Sequence, residues 1–367
     1  MTTIDLETVK THIPEIISNY LKRACIKDYK INEEIEPEYY MRENEPQGLL
    51  FISQFKQLDL IPIIEGIADK LPEMDIARGC ISGYFIGLLG ERGFVTRKST
   101  IALLDFFIKI VDLCISFKSF KNETINNLCT LHADEYKASL QMPLLSTAVM
   151  SRITTSREYR DYLREKPELS HKICSIASEY GNTTYIPSVL NMAEKERVII
   201  LNLELNKGCE VEIEQMDNNF QLFTWFQMEL YHNGLLQDYG VTDFNYNESV
   251  DNLIHRRNGT DDELSMFSSM VLEKAYFGYY QYSARYLNKE GKIEYNKFDI
   301  VCGESNIYEV PKLNDKFIIL LSTPIRSHYW NGANIGGVHF SLRPKMKIIR
   351  QLNQSEIDEW KNKIEQK

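Results

Sequence analysis

Two segments of the chain concentrate residue types that can do chemistry. The first runs from Arg326 to His339 and reads Arg-Ser-His-Tyr-Trp-Asn-Gly-Ala-Asn-Ile-Gly-Gly-Val-His. Arg326, His328 and His339 can meet an anion. Tyr329 and Trp330 offer flat aromatic faces to a base, a sugar or a partner side chain. Asn331 and Asn334 both donate and accept hydrogen bonds, and Gly336-Gly337 lets a backbone approach closely. The segment lies between the apolar run 317–325 and the more alternating run 340–349. Strands are usually joined by shorter and less functional connectors, so this composition marks it as a candidate binding loop. The plainer account is a long hairpin loop, with Asn331-Gly332 as its turn, Gly336-Gly337 as a bulge and Trp330 plugging the open end of a sheet.

The second segment is His255-Arg256-Arg257, followed by Asn258-Gly259-Thr260-Asp261-Asp262-Glu263. Thr260 and Glu263 have the spacing of a capping box, and Asp261 and Asp262 suit the positive end of a helix dipole. The three basic residues before that cap can clamp a phosphate or carboxylate near the helix start. They can equally pair with the acids beside them.

Other constellations read as structure. Gly87-Leu-Leu-Gly90-Glu-Arg-Gly93-Phe-Val-Thr-Arg-Lys98-Ser99 resembles a phosphate loop only at first sight. Arg97 stands where glycine must let the backbone wrap a phosphate, so close helix packing followed by a turn at Gly93 is expected. His132-Ala-Asp134-Glu135 lacks the second histidine a zinc helix needs and reads as a solvated helix face. Tyr276, Tyr279 and Tyr280 fall on one stripe of an expected helix from Asp261 to Leu287, where tyrosine suits a half-wet packing face. No Gly-x-Ser-x-Gly elbow, zinc spacing or dinucleotide fingerprint occurs.

The elements that must position these residues divide the chain in two. Up to about residue 195 the apolar period is helical, with segments near 50–72, 76–92, 98–117, 122–137, 139–152, 167–180 and 187–194. Before them Leu6, Val9, Ile13, Ile16, Ile17, Tyr20 and Leu21 form one stripe, in which Pro14 is a potential kink. After residue 196 the period becomes two. Leu201, Leu203 and Leu205 alternate with polar residues, as do Cys209, Val211 and Ile213, which predicts a hairpin turning at Lys207-Gly208 with one wet face. The 220–231 run is ambiguous: its five aromatics suit a strand, whereas Asn233-Gly234 has the form of a helix stop and favours a helix. Short strands follow near 292–301, 306–310, 316–325 and 338–350. A final helix has Ser355 and Asp358 at capping spacing. The expected fold is α+β: a helical domain over 1–195, an irregular bundle or degenerate array, and a mixed domain over 196–367 containing a small antiparallel sheet.

Composition narrows the function classes. At 367 residues, 43% apolar and 26% charged, the chain can bury a large core without metal or disulfide staples. Its net charge of −10 argues against a whole-chain nucleic-acid binder, because phosphate is repelled at long range. The charge is uneven. Asp28, Glu33, Glu34, Glu36, Glu38, Glu43 and Glu45 stand against only Lys30 and Arg42, whereas residues 301–367 carry ten Lys/Arg and seven Asp/Glu, a local +3. The seven cysteines are dispersed, with no Cys-x-x-Cys pair, as expected of buried free thiols in the reducing cytoplasm. No membrane association, metal or cofactor is expected. The reading that follows is a non-enzymatic intracellular interaction protein with a protein partner, of the kind found in toxin-neutralising or defence systems. The alternative is an enzyme or sensor that holds a small anionic ligand such as a nucleotide between 255–257 and 326–339.

Overall fold

In the computed structural model the described residues are 6–26, 59–166, 168–203, 205–240, 275–277, 306–310, 312–321, 328–330, 339 and 341–365. The fold is α+β, with a mainly helical N-terminal half and a mixed five-stranded sheet in the C-terminal part. The chain divides into two compact units between Leu190 and Asn191.

The N-terminal unit comprises α1 (Leu6–Ala24), α2 (Ile61–Lys70), α3 (Ile76–Glu91), α4 (Arg97–Phe117), α5 (Ile125–Leu131), α6 (Ala133–Ile153), α7 (Arg157–Arg164), α8 (Leu169–Ala177) and α9 (Tyr185–Leu190). Twelve of the sixteen residues of α3 are buried, and only the line Tyr84, Leu88 and Glu91, with Arg78, reaches partial or full exposure, so this helix is largely enclosed and not merely laid on a core. Its glycines make that possible. A Cβ on Gly87 would lie 2.6 Å from the Cα of Ala148 in α6, and one on Gly83 would lie 2.7 Å from Leu145 Cδ1. Close packing therefore accounts for the glycine-spaced run, and Gly93, at φ +84°, makes the turn after α3. Thr96 and Ser99 then form a reciprocal capping box that starts α4.

Several helix boundaries differ from the sequence expectation for identifiable reasons. Pro14 lies inside a continuous α1, and Pro62 falls in the first turn of α2, where its missing N–H is harmless. The expected break between residues 137 and 139 is absent, and α6 starts after His132. Helix α7 has almost no apolar stripe. One of its two buried residues is Arg160, which donates to the Ile153 carbonyl at 2.7 Å.

Asp75 connects three helices of this unit. Its backbone N–H donates to Ala24 O of α1, its Oδ1 caps α3 by accepting from Ala77 N, and its Oδ2 lies 2.5 Å from Lys137 Nζ on α6. Both charged side chains are essentially inaccessible to water.

The C-terminal unit contains β1 (Ala193–Asn202), β2 (Lys207–Met216), α10 (Asn219–His232), β3 (Ala275–Phe277), β4 (Lys312–Leu313), β5 (Lys316–Leu321), β6 (His328–Trp330), β7 (Lys345–Gln351) and α11 (Gln354–Glu365). The main sheet has the order β4-β5-β1-β2-β7, and β3 pairs with β6 in a separate two-stranded ribbon. The β1–β2, β2–β7 and β4–β5 ladders are antiparallel, but β1 and β5 run parallel. The expected antiparallel sheet is therefore mixed. A parallel neighbour needs a long crossover, and the chain between Met216 and Lys312 supplies one.

Central strands of this kind are buried on both faces, so they read as continuous apolar runs. One face of the sheet sets Val198, Ile200, Val211, Ile213 and Ile319 against Phe223, Phe226 and Leu230 of α10. The other sets Ile199, Leu201, Ile318 and Leu320 against Ile357, Trp360 and Ile364 of α11. Helix α10 is buried around most of its circumference, so its apolar residues follow no clean helical period, which is why the run suits a strand as well as a helix by spacing alone.

Four local expectations are corrected. The β1–β2 turn lies before Lys207, with Asn206 at φ +48°, and Gly208 sits inside β2, where a Cβ would meet Leu201 Cδ2 at 2.7 Å. Residues 307–309 form a 3-10 turn instead of a strand. The expected helix from Asp261 to Leu287 is contradicted at Ala275–Phe277, which is strand. Tertiary pairing with β6 overrides the helical spacing of Tyr276, while Tyr279 and Tyr280 lie outside the described residues. Asn353 and Glu356 cap α11 reciprocally, in place of Ser355 and Asp358.

Gly87→Ala is expected to destabilise the helical unit by about 1–3 kcal/mol despite alanine's better helix propensity, because α3 and α6 must separate. Gly66→Ala, in α2 with nothing within 4 Å of the new Cβ, should instead stabilise it by up to ~1 kcal/mol. Denaturant melts followed by the helical circular-dichroism signal distinguish the two signs. Lys137→Met, which leaves the Asp75 charge buried without its cation, should cost about 3–5 kcal/mol in the same assay.

Candidate functional site

The chemistry-bearing part of the C-terminal unit that the described residues bring together is the junction between β2 and α10. At the end of β2, Gln215 adopts φ +55°, a left-handed conformation that a side chain with a Cβ enters at a cost. Its Oε1 accepts from Arg343 N at 2.8 Å, which brings the 339–343 turn against the junction. Asn218 is the N-cap of α10. Its Oδ1 accepts from Gln221 N at 3.0 Å, and Gln221 Oε1 in turn accepts from Asp217 N at 2.9 Å. An isolated antiparallel bridge between Asn218 and Asn306 adds the 306–310 turn. Three segments distant in sequence thus converge around Asp217, Asn218 and Gln221.

Asp217 is 8% exposed and carries the most functional-looking electrostatics of this unit. Burial pushes its carboxyl pKa up from 3.8 to about 6, and hydrogen bonds from Gln221, its own backbone and Asn218 only partly offset that. A group of this kind can take up or release a proton near neutral pH. Deeper in α10, Gln227 is 1% exposed, and neither of its amide atoms has a hydrogen-bond partner among the described residues.

Of the ten residues singled out in the sequence, four are placed. His328, Tyr329 and Trp330 form β6, in register with Phe277, Tyr276 and Ala275 of β3. Strand β3 lies beside α10, so the ribbon belongs to the same side of the unit as the junction helix. His339 makes a local turn: its Nδ1 accepts from Ser341 N at 3.2 Å, and its carbonyl accepts from Leu342 N at 2.9 Å. Arg326, Asn331, Asn334, His255, Arg256 and Arg257 lie outside the described residues. The expectation that 255–257 and 326–339 share a pocket therefore also lies outside them.

The junction residues were overlooked in the sequence, although a signal was present. Asn218-x-x-Gln221 directly after an alternating strand is a capping pattern, and Asp217 precedes it. Burial of that aspartate has no local signature.

Elsewhere the constellations are structural. His132 stacks on Phe120 with ring centroids 3.6 Å apart and lies 3.8 Å from Glu123. A groove of about 460 Å³ between α1 and α2 is lined mostly by Ile13, Pro14, Ile17, Pro62 and Ile63, with Lys10 and Asp59 its only charges. Among the described residues no group of His, Cys, Asp and Glu is arranged to hold a metal ion, and no helix is long and apolar enough to cross a membrane. No known protein family matches the chain, nor does any curated protein or solved structure.

The raised Asp217 pKa gives a signed prediction. The folded state holds this proton more tightly than the unfolded chain, so its contribution to stability declines as pH rises from about 4 to about 6 and is flat above. The shift of about two units corresponds to roughly 3 kcal/mol at neutral pH. Asp217→Asn keeps the shape and an acceptor oxygen. It should raise stability at pH 7.5, with the gain shrinking towards pH 4. All three tryptophans, Trp225, Trp330 and Trp360, lie in the C-terminal unit, so tryptophan fluorescence during urea unfolding at the two pH values reads that unit alone.

Proposed function

We propose that this chain is a non-enzymatic interaction protein of the cytoplasm, in which a helical scaffold carries a mixed α+β recognition unit for a protein partner. The observation that carries the reading is the β3–β6 ribbon. Two three-residue strands, distant in sequence, pair apart from the main sheet. Four of their six positions are Tyr276, Phe277, Tyr329 and Trp330, and a fifth is His328. Among the described residues no further strand joins it, and a two-stranded ribbon on its own is marginal in water, so a chain that keeps one has a use for its surface. Tyrosine and tryptophan are the residues most enriched at protein interfaces, because they supply large rigid area together with a polar handle.

Two further features support the reading. Cys80, Cys114 and Cys209 are buried free thiols, and burial pushes Cys114 and Cys209 up to about 12, which makes them inert packing groups suited to a reducing compartment. Strained Gln215 and buried Asp217 hold the start of α10 in one conformation, and α10 is the helix beside the ribbon.

The test is copurification of the tagged full-length chain from its native cells. A stoichiometric protein partner is expected, and Trp330→Ala should weaken the complex by about 2 kcal/mol or more, the scale of an interface hot spot. Full retention of the partner by the variant would remove the ribbon as the contact. Recovery of a bound nucleotide without any protein would replace the reading altogether.

A further inference from the structure

The sheet face shared with α11 is charged beyond the reach of that helix, and its charges are ordered by strand. Directly opposed positions form rows across β1, β2 and β7: Lys195, Glu214 and Lys345; then Arg197, Glu212 and Lys347. A third row places Glu210 opposite Arg350, and Lys316 of β5 reaches the same carboxylate. The columns therefore run cationic, anionic, cationic from β1 to β7. Six cations stand against three glutamates, with Glu356 of α11 a fourth carboxylate at the margin, 2.5 Å from Arg350.

The glutamates are already engaged. Glu212 lies 3.4 Å from Lys195 and 3.1 Å from Arg197, and Glu214 lies 3.6 Å from Lys345. Glu210 is held below its ordinary pKa, first by the hydrogen bond from Lys316 and then by Arg350. Lys347 is exposed and has no ion pair among the described residues. The outermost column thus keeps cationic charge that its own sheet does not neutralise.

That column lies on an edge strand. β7 ends the sheet order, and no described strand pairs with its outer side. One edge amide is satisfied by a carboxylate instead of a strand: Ile348 N donates to Glu229 Oε2 of α10 at 3.2 Å. Pro344, directly before β7, has no N–H to offer. Lysine-rich edges repel their own copies and so resist self-pairing. The same charge favours a strand of opposite sign, because opposite charges directly across a ladder stabilise it.

We propose that the outer edge of β7 accepts an extended acidic peptide as a sixth strand, whose alternate carboxylates meet Lys345, Lys347 and Arg350 and continue the charge alternation of this face. Main-chain hydrogen bonds would supply the affinity, and the lysine column the choice of partner, as in other strand-addition interfaces. Glu229 holds the Ile348 amide until the partner's carbonyl replaces it. The inference rests on the interaction reading above and names the chemistry of one partner segment.

The experiment uses the full-length chain and a short, capped, fluorescein-labelled peptide of alternating glutamate and threonine. Fluorescence anisotropy should show saturable binding that Lys347→Glu weakens by at least about tenfold. Hydrogen exchange should show new protection at the amides of 345–351. Because Lys347 stands directly opposite Glu212, Lys347→Glu also sets like charges across the ladder, so Lys347→Gln, which adds no such repulsion, must weaken binding in the same direction with an unchanged tryptophan-fluorescence melt. The lysine-for-glutamate peptide should not bind, a control that needs no variant. Absence of binding at millimolar peptide overturns the proposal. So does binding without edge protection, or equal binding of a single-stranded oligonucleotide, since either describes a general anion surface. The Trp330→Ala copurification does not involve β7, so the interaction reading stands or falls separately.

Discussion

The helical unit depends on one buried carboxylate. Asp75 sits where α1 ends, where α3 begins and where α6 passes, and a different atom of the residue serves each helix. Burying a charge costs several kcal/mol unless a partner and further hydrogen bonds meet it. Lys137 and the α3 cap meet it here, at a single arrangement of three helices. The glycines of α3 follow from that arrangement. With the helix start pinned beside α6, only Cβ-free positions at Gly83 and Gly87 let the two helices run side by side. Such a unit is suited to holding a shape.

The C-terminal unit is organised by a different constraint, the doubly buried pair β1 and β5. With helices on both faces, its surface chemistry is left to the sheet margins and to the ends of α10. The junction at Gln215–Gln221 is where a residue with a disfavoured backbone conformation, a reciprocal cap and a neutral-range carboxyl coincide. Structures keep such unfavourable groups where surrounding contacts over-determine them, and that is also where binding surfaces are built. The ribbon beside α10 and the charged edge at β7 belong to two different sheets of this unit.

Much of the architecture was legible in the sequence. The change of period near residue 196, the alternation of Cys209, Val211 and Ile213 with glutamates, and the glycine run of α3 each have a local cause, so they could be read locally. The mixed sheet could not be read in this way. Val198 to Leu201 shows an apolar run, but whether its parallel neighbour is β5 depends on contacts more than a hundred residues apart. Helix α7 was missed because one of its two buried side chains is an arginine, which leaves Leu163 as the only buried apolar residue among its described positions. Ala275–Phe277 was assigned to a helix because tyrosine spacing carries no information about a partner strand.

The candidate site divides along the same line. The sequence by itself determined the inventory: an aromatic, amide-rich segment ending at His339, a lysine-bearing terminal strand, thiols placed in apolar runs, and a net charge of −10. These follow from residue type and local spacing, which short-range sterics and hydrogen bonding make readable. Only the tertiary structure decided that Asp217 is buried, that Gln215 reaches Arg343, that β6 finds β3, and that lysine and glutamate columns alternate across β1, β2 and β7. Each of those is a long-range contact. Desolvation and cross-strand charge pairing arise from neighbours that the linear order of residues does not name.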